Sequence, residues 1–231
     1  MFAIDHAATA LLVKRRYPAV ALAPLLVAVQ AMELAWVVLN YLGVERTTTE
    51  PTVRSVADIH LAYMPYSHSV ATGLSAALLV WLLLEFGFRR PMLGRAVGLG
   101  VLSHLLLDLA THAHDIVLWP GRLHPALGLG LYGTAPFAAF LIELVYGVFC
   151  WWVYRGGRAL LAVIVLGNLA NLSLLSSAIL GPERYLAGRP MLVVTFVLIQ
   201  IVATLVLVGI FARRPRTSVA EVHETPSHES A

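Results

Sequence analysis

Long apolar runs separated by short polar segments organise the chain. They cover residues 19–42, 68–88, 93–119, 134–154, 159–180 and 191–211. A hydrocarbon core about 30 Å thick takes roughly 20 apolar residues as a helix, so each run is long enough to cross it. The runs are continuously apolar rather than alternating, which predicts helices and not the strands of a barrel. Residues 3–13 form a further apolar stretch too short to cross, which predicts a short interfacial or half-inserted helix. Lys14, Arg15 and Arg16 precede the first long run as they would in a signal peptide, but the run continues to Leu42. That is too long for a typical signal core, so the pattern predicts an uncleaved crossing. The expected fold is all-α: a polytopic membrane helical bundle of about six transmembrane helices plus a short N-terminal helix.

Residues 1–212 form the expected membrane domain. Residues 213–231 are rich in Pro, Ser, Thr and Glu and predict a disordered polar tail in which His223 and His228 are solvated. The segment 43–59, with Thr47-Thr48-Thr49-Glu50-Pro51, reads as an outside connection, and residues 120–133 as a Gly-rich one. Within the latter, Gly128-Leu-Gly130-Leu-Tyr-Gly133 matches G-x-G-x-x-G. It lacks the preceding strand and the later acidic residue of a dinucleotide fingerprint, so it reads as a flexible connection.

Composition agrees with this pattern. Of 231 residues, 59% are hydrophobic and 13% charged, with a mean hydropathy of +0.79; soluble domains carry about 25% charged residues. The net charge of +3 does not indicate nucleic acid, because the basic residues fall in clusters between apolar runs. Cys150 is the single cysteine, so neither an intrachain disulfide nor a thiolate zinc site is available. With the N-terminus inside, eleven Lys and Arg residues fall on inside segments and five (Arg46, Arg54, Arg122, Arg184, Arg189) on outside ones. This positive-inside bias predicts cytoplasmic termini, in a bacterial inner membrane with lipid as the surroundings.

Ionisable groups inside spans cost about 2.5–3.5 kcal/mol each on insertion scales, so each needs a reason. Glu85 reads as a boundary pair with Arg89. Glu143, mid-span, is either a partner within the bundle or part of a site. His104 and Asp108 are four residues apart and share a helix face. Both can reach one cation, and His with a carboxylate is a common zinc or manganese ligand set; a buried His–Asp hydrogen bond is the plainer reading. His112 continues that face, followed by His114 and Asp115. Pro65 disfavours helical dihedrals at Met64, which places a helix start near Ser67 and His68 in its first turn. Glu33 lies about 25 Å up the first span and Asp108 about 20 Å up the third, at 1.5 Å per residue. Glu33, His68, His104 and Asp108 are thus brought to similar depth from separate helices.

These residues resemble the motifs of the membrane-bound, YdjM-like family of predicted metal-dependent hydrolases. Asp5-His6 stands in the place of that family's early histidine, and Ser67-His68-Ser69 in that of its Thr-His-Ser motif. Ser103-His104-Leu-Leu-Leu-Asp108 matches its Ser-His-x-x-x-Asp motif, and Leu118-Trp119-Pro120 follows as its Leu-Trp-Pro stretch. The match covers roughly residues 5–120. Two segments depart from the pattern: Met32-Glu33-Leu34 replaces a paired Asp followed by His, and Tyr63-Met64-Pro65 replaces a His-Arg-Gly segment, the nearest histidine being His60.

The resemblance implies a hydrolase in which His6, Glu33, His68, His104 and Asp108 hold one or two divalent cations, zinc or manganese, with Glu33 or Asp115 as general base. A site near the outer leaflet favours a lipid or other membrane-associated ester or phosphoester. His6 joins only if the N-terminal segment is half-inserted, because it reaches roughly 12 Å from the cytoplasmic boundary. Two other classes stay open. A proton- or ion-coupled transporter would use Glu33, Asp108, Glu143, Gln200, Asn168, Asn171, Ser173 and Ser176 as a polar path. A non-catalytic scaffold or assembly subunit would use its polar groups and Gly94-x-x-x-Gly98 for helix association.

Overall fold

The computed structural model of the chain describes residues 1–121, 126–176, 178–179 and 181–212. The expected tail, with His223 and His228, lies outside the described residues, as does Arg122. The fold is mostly helical. Its elements in order are α1 (Ala3–Arg16), α2 (Leu22–Val29), α3 (Ala31–Tyr41), β1 (Arg46–Thr49), β2 (Ile59–Tyr63), α4 (Val70–Leu82), α5 (Pro91–Thr111), β3 (Ile116–Val117), β4 (Ala126–Leu127), α6 (Leu131–Thr134), α7 (Pro136–Tyr154), α8 (Arg158–Leu169) and α9 (Pro190–Phe211). A wider turn, Leu83–Gly87, extends α4.

Four helices are long and apolar enough to cross a membrane: α4 with its extension, α5, α7 and α9. The first long run is a fifth if α2 and α3, bent by 54° at Gln30, count as one crossing. Among the described residues of the fifth run, the α-helix covers Arg158–Leu169. At 1.5 Å per residue that is about 18 Å, short of the hydrocarbon core. Beyond it Ser173–Leu175 forms a single tight turn, and Ser173 donates to Glu183 at 2.8 Å.

Burial is inverted relative to a water-soluble domain. Val145 and Trp152 on α7 and Phe86 at the end of α4 are about two-thirds exposed, whereas Asp5, His6, Gln30, His104, Asp108 and Glu143 are buried. Large apolar side chains cover the outer faces while ionisable ones sit inside beside the apolar core, as lipid surroundings favour.

The helix α1 is not interfacial. It is buried along almost its whole length and packs against α2, α5, α7, α8 and α9. Its small residues Ala7, Ala8 and Ala10 are fully buried and let the neighbouring helices approach. Close approach also joins α4 to α5: a Cβ on Gly94 would lie 2.8 Å from the Trp81 carbonyl oxygen, and one on Gly98 3.0 Å from Trp81 Cβ. The Gly94-x-x-x-Gly98 pattern therefore serves packing within the chain.

Two short antiparallel pairs interrupt the helices. β1 pairs with β2 across the 43–59 connection, and β3 with β4. Residues 128–133 pack against the end of α5 instead of forming a free connection. Leu129 and Gly130 donate backbone hydrogen bonds to Leu109 and His112 at the end of α5, and a Cβ on Gly128 would meet the Ala113 oxygen at 2.1 Å. Only glycine permits that approach, at φ +130°. Glu85 pairs with Arg95 at 2.7 Å and with the Trp81 indole, rather than with Arg89. Arg89 adopts φ 53° where the chain turns into α5, which takes it off the helix face.

Candidate metal centre

Three features of local folding aim the site. The first is the break at Gln30. Its side-chain amide donates to the Ala3 carbonyl oxygen at 2.7 Å, tying the break to the first turn of α1. Ending α2 at Val29 frees that residue's carbonyl, since the last carbonyls of a helix lack intrahelical partners. It lies 2.8 Å from His104 Nδ1. The second is the start of α4. Ser69 Oγ accepts from the Thr72 amide at 3.1 Å, so the helix begins at Val70. His68 therefore precedes the helix instead of occupying its first turn. The third is the end of α3. Gly43, at φ +71°, lets the Val44 amide reach the Leu39 oxygen and its own amide reach Asn40. This Schellman pattern turns Glu45 inward, where it is buried.

One ligand atom from each of Glu33, His68, His104 and Asp108 lies within 4.8 Å of the other three. Asp108 Oδ2 is 2.9 Å from His104 Nε2 and 3.7 Å from His68 Nε2. Glu33 Oε2 is 3.4 Å from His68 Nε2 and 3.7 Å from His104 Nε2. Ligand atoms about 2.0–2.1 Å from a tetrahedral zinc lie about 3.3 Å apart, so these separations suit one shared cation. His68 Nε2, His104 Nε2 and Asp108 Oδ2 are buried without a hydrogen-bond partner. Unsatisfied buried polar atoms are costly and rare, and a cation among them would satisfy all three. The cluster could hold a metal ion.

The ring tautomers agree with this reading. The Val29 carbonyl only accepts, so His104 Nδ1 carries the proton and Nε2 presents its lone pair. Glu45 Oε1 accepts from the Tyr66 and Ser67 amides at 2.9 and 2.8 Å, and Oε2 accepts from Ser67 Oγ at 2.6 Å. With its hydroxyl proton directed to Glu45, Ser67 Oγ can only accept from His68 Nδ1, 2.8 Å away. His68 Nε2 is then also a lone pair facing the cluster. Outer hydrogen bonds of this kind fix ring orientation in metal sites.

Asp108 turns its other oxygen to a second group. Oδ1 lies 3.2 Å from His6 Nε2, 3.8 Å from His112 Nε2 and 2.8 Å from the Met1 amino nitrogen, which also contacts Thr111 Oγ1 at 2.7 Å. The His6 ring stacks on His104 at 4.0 Å. His6 therefore reaches the cluster because α1 is inserted, contacting Asp108 through Oδ1 and stacking on His104 without being one of the four converging residues. The α5 helix ends at Thr111, so His112 leaves its face in extended geometry. Burial disfavours a charged His112, but Asp108 and Asp115 outweigh it and raise its pKa above the usual range. Asp115 Oδ1 is buried, 3.4 Å from His112 Nδ1.

The remaining polar span residues form pairs among themselves. Glu143 accepts from Tyr132 Oη at 2.5 Å and from the Phe2 amide at 3.3 Å. Asn168 donates to Asp5 at 3.3 Å, and Gln200 to Asn171 at 2.7 Å. Sequence reasoning missed Glu45 and the Val29 carbonyl. The signal for Glu45 was an acidic residue two positions beyond a helix-ending glycine; the Val29 carbonyl left none. No protein family, curated protein or solved structure matches this chain.

Proposed function

We propose that the chain is a membrane-embedded, metal-dependent hydrolase acting on a lipid or other membrane-associated ester or phosphoester. The observation that carries this reading is the convergence of Glu33, His68, His104 and Asp108, with partnerless buried ligand atoms, beside a cavity that Glu33 and Asp115 help to line. The motif resemblance over residues 5–120 points the same way. Zinc or manganese suits the mixed imidazole and carboxylate donors. Such an ion lowers the pKa of bound water and polarises an acyl or phosphoryl oxygen.

The chain's own residues have distinct parts in this reading. His68, His104 and Asp108, the most enclosed of the four, would hold the ion together with Glu33, whose side chain is 20% exposed and lines the cavity. Glu33 or Asp115 would accept the proton released by water, and His112, 3.4 Å from Asp115, orients that carboxylate. His6 supports Asp108 through Oδ1. We further propose six crossings, with the α2–α3 pair as the first and α8 with its following turn as the fifth. The basic end of α1 and the end of α9 then face the cytoplasm of a bacterial inner membrane, in keeping with the basic-residue distribution, while Met1 is buried beside Asp108 and Thr111.

Metal content of the detergent-purified protein, beside His104→Ala/Asp108→Ala, tests the reading. About one or two equivalents of zinc or manganese, lost in the variant, is the expected result. No metal after reconstitution with both ions would refute it.

A further inference from the structure

A cavity of about 470 Å³ lies beside the ligand cluster, and of the four converging residues Glu33 lines it. His6, Glu33, His112 and Asp115 form its polar end. The rest of the lining is mostly apolar, with His60, Tyr132 and Gln200 as its polar members. Val193, Phe196 and Val197 of α9 share one helix face, and Trp36 of α3 and Leu61 of β2 complete the enclosure. A site with one polar end and one long apolar end suits an amphiphile whose polar group sits at the cluster. A water in the liquid takes up about 30 Å³, so the space holds roughly 16 groups of that size. That accommodates one hydrocarbon tail of medium length with its ester. Among the described residues lining the cavity there is no Lys or Arg, and the Met1 amino group is already paired with Asp108 at the polar end.

We propose that this cavity receives the single uncharged hydrocarbon tail of the substrate and holds it against α9, with the ester at the Glu33–His68–His104–Asp108 cluster. The proposal rests on the metal-centre reading and gives it a substrate class: single-tailed esters of medium chain length. Val197 lines the cavity from α9, a helix that contributes none of the four cluster residues. A larger side chain there shortens the tail that fits without altering the cluster.

Alkyl hydroxamates of two, six, ten and fourteen carbons test this, bound to the zinc-loaded full-length protein in detergent and followed by calorimetry. The hydroxamate stands in for the ester, and no turnover is needed. Affinity is expected to rise by up to about fourfold per methylene to ten carbons, then level off by fourteen. In Val197→Trp, and independently in Leu61→Trp, the gain with length is expected to vanish while zinc content and two-carbon binding persist. A gain of equal size in the wild type and both variants would mean partition into detergent and would overturn the proposal. So would a flat length dependence in the wild type with two-carbon binding intact, which leaves the metal centre standing. Failure of the wild type to hold zinc or to bind the two-carbon compound would remove the metal-centre reading and this proposal together.

Discussion

Glu45→Gln isolates the outer hydrogen bonds of the candidate centre, because Glu45 is not among the four clustered ligands. The carboxylate accepts three hydrogen bonds, two from backbone amides on Oε1 and one from Ser67 Oγ on Oε2. A glutamine keeps one acceptor oxygen, and two amide donors hold it in the Oε1 position against one hydroxyl. The new NH₂ group then faces Ser67 Oγ. That hydroxyl must accept from it and turn its own proton toward His68 Nδ1, 2.8 Å away. The imidazole proton moves to Nε2, the atom aimed at Glu33 and Asp108. Binding a cation there now requires expelling that proton or breaking the new hydrogen bond.

Losing an outer partner of a metal ligand typically costs 10–100-fold in affinity, or about 1.4–2.7 kcal/mol. The expected result is therefore a zinc dissociation constant about 10–100-fold above wild type, measured by competition with a chromophoric chelator. Ser67→Ala removes the same relay without supplying a donor and should weaken zinc binding by less. Thermal unfolding in detergent, followed by tryptophan fluorescence, shows whether each variant stays folded. A folded Glu45→Gln protein with wild-type zinc affinity would refute the reasoning, since His68 would then need no fixed tautomer.

Two further variants separate packing from ligation. Gly94→Val forces side-chain atoms against the Trp81 carbonyl, where even a Cβ would lie at 2.8 Å; it should cost about 1–3 kcal/mol of stability, read as a lower unfolding midpoint, and an unchanged midpoint would mean that the α4–α5 contact is loose. His6→Ala should retain about one equivalent of zinc by metal analysis, because Oδ1 and not Oδ2 of Asp108 faces His6; complete loss of metal would place His6 among the essential ligands.

Much of the architecture is written locally, in residue type and spacing. Apolar run length depends only on the match between a helix and a hydrocarbon layer, so 91–111, 136–154 and 190–211 were legible as helices without any tertiary information. The His104–Asp108 pair was legible because four residues make about one helical turn, and the similar depth of Glu33 followed from counting residues along two spans. What the sequence could not fix were the places where a chain segment answers to a distant neighbour. The bend at Gln30 is tied to Ala3, 27 residues away. The enclosure of α1 depends on five other helices, which is why a stretch too short to cross could still bring His6 to the cluster. Apolar composition carried α8 to Leu180 on paper, whereas hydrogen bonds among Ser173, Gly181 and Glu183 hold a compact turn there. The tautomers of His68 and His104 are set by Ser67–Glu45 and by the Val29 carbonyl, groups from three different segments. A hydropathy pattern records how each residue meets lipid; which lone pairs face a common point is decided only when the helices are packed.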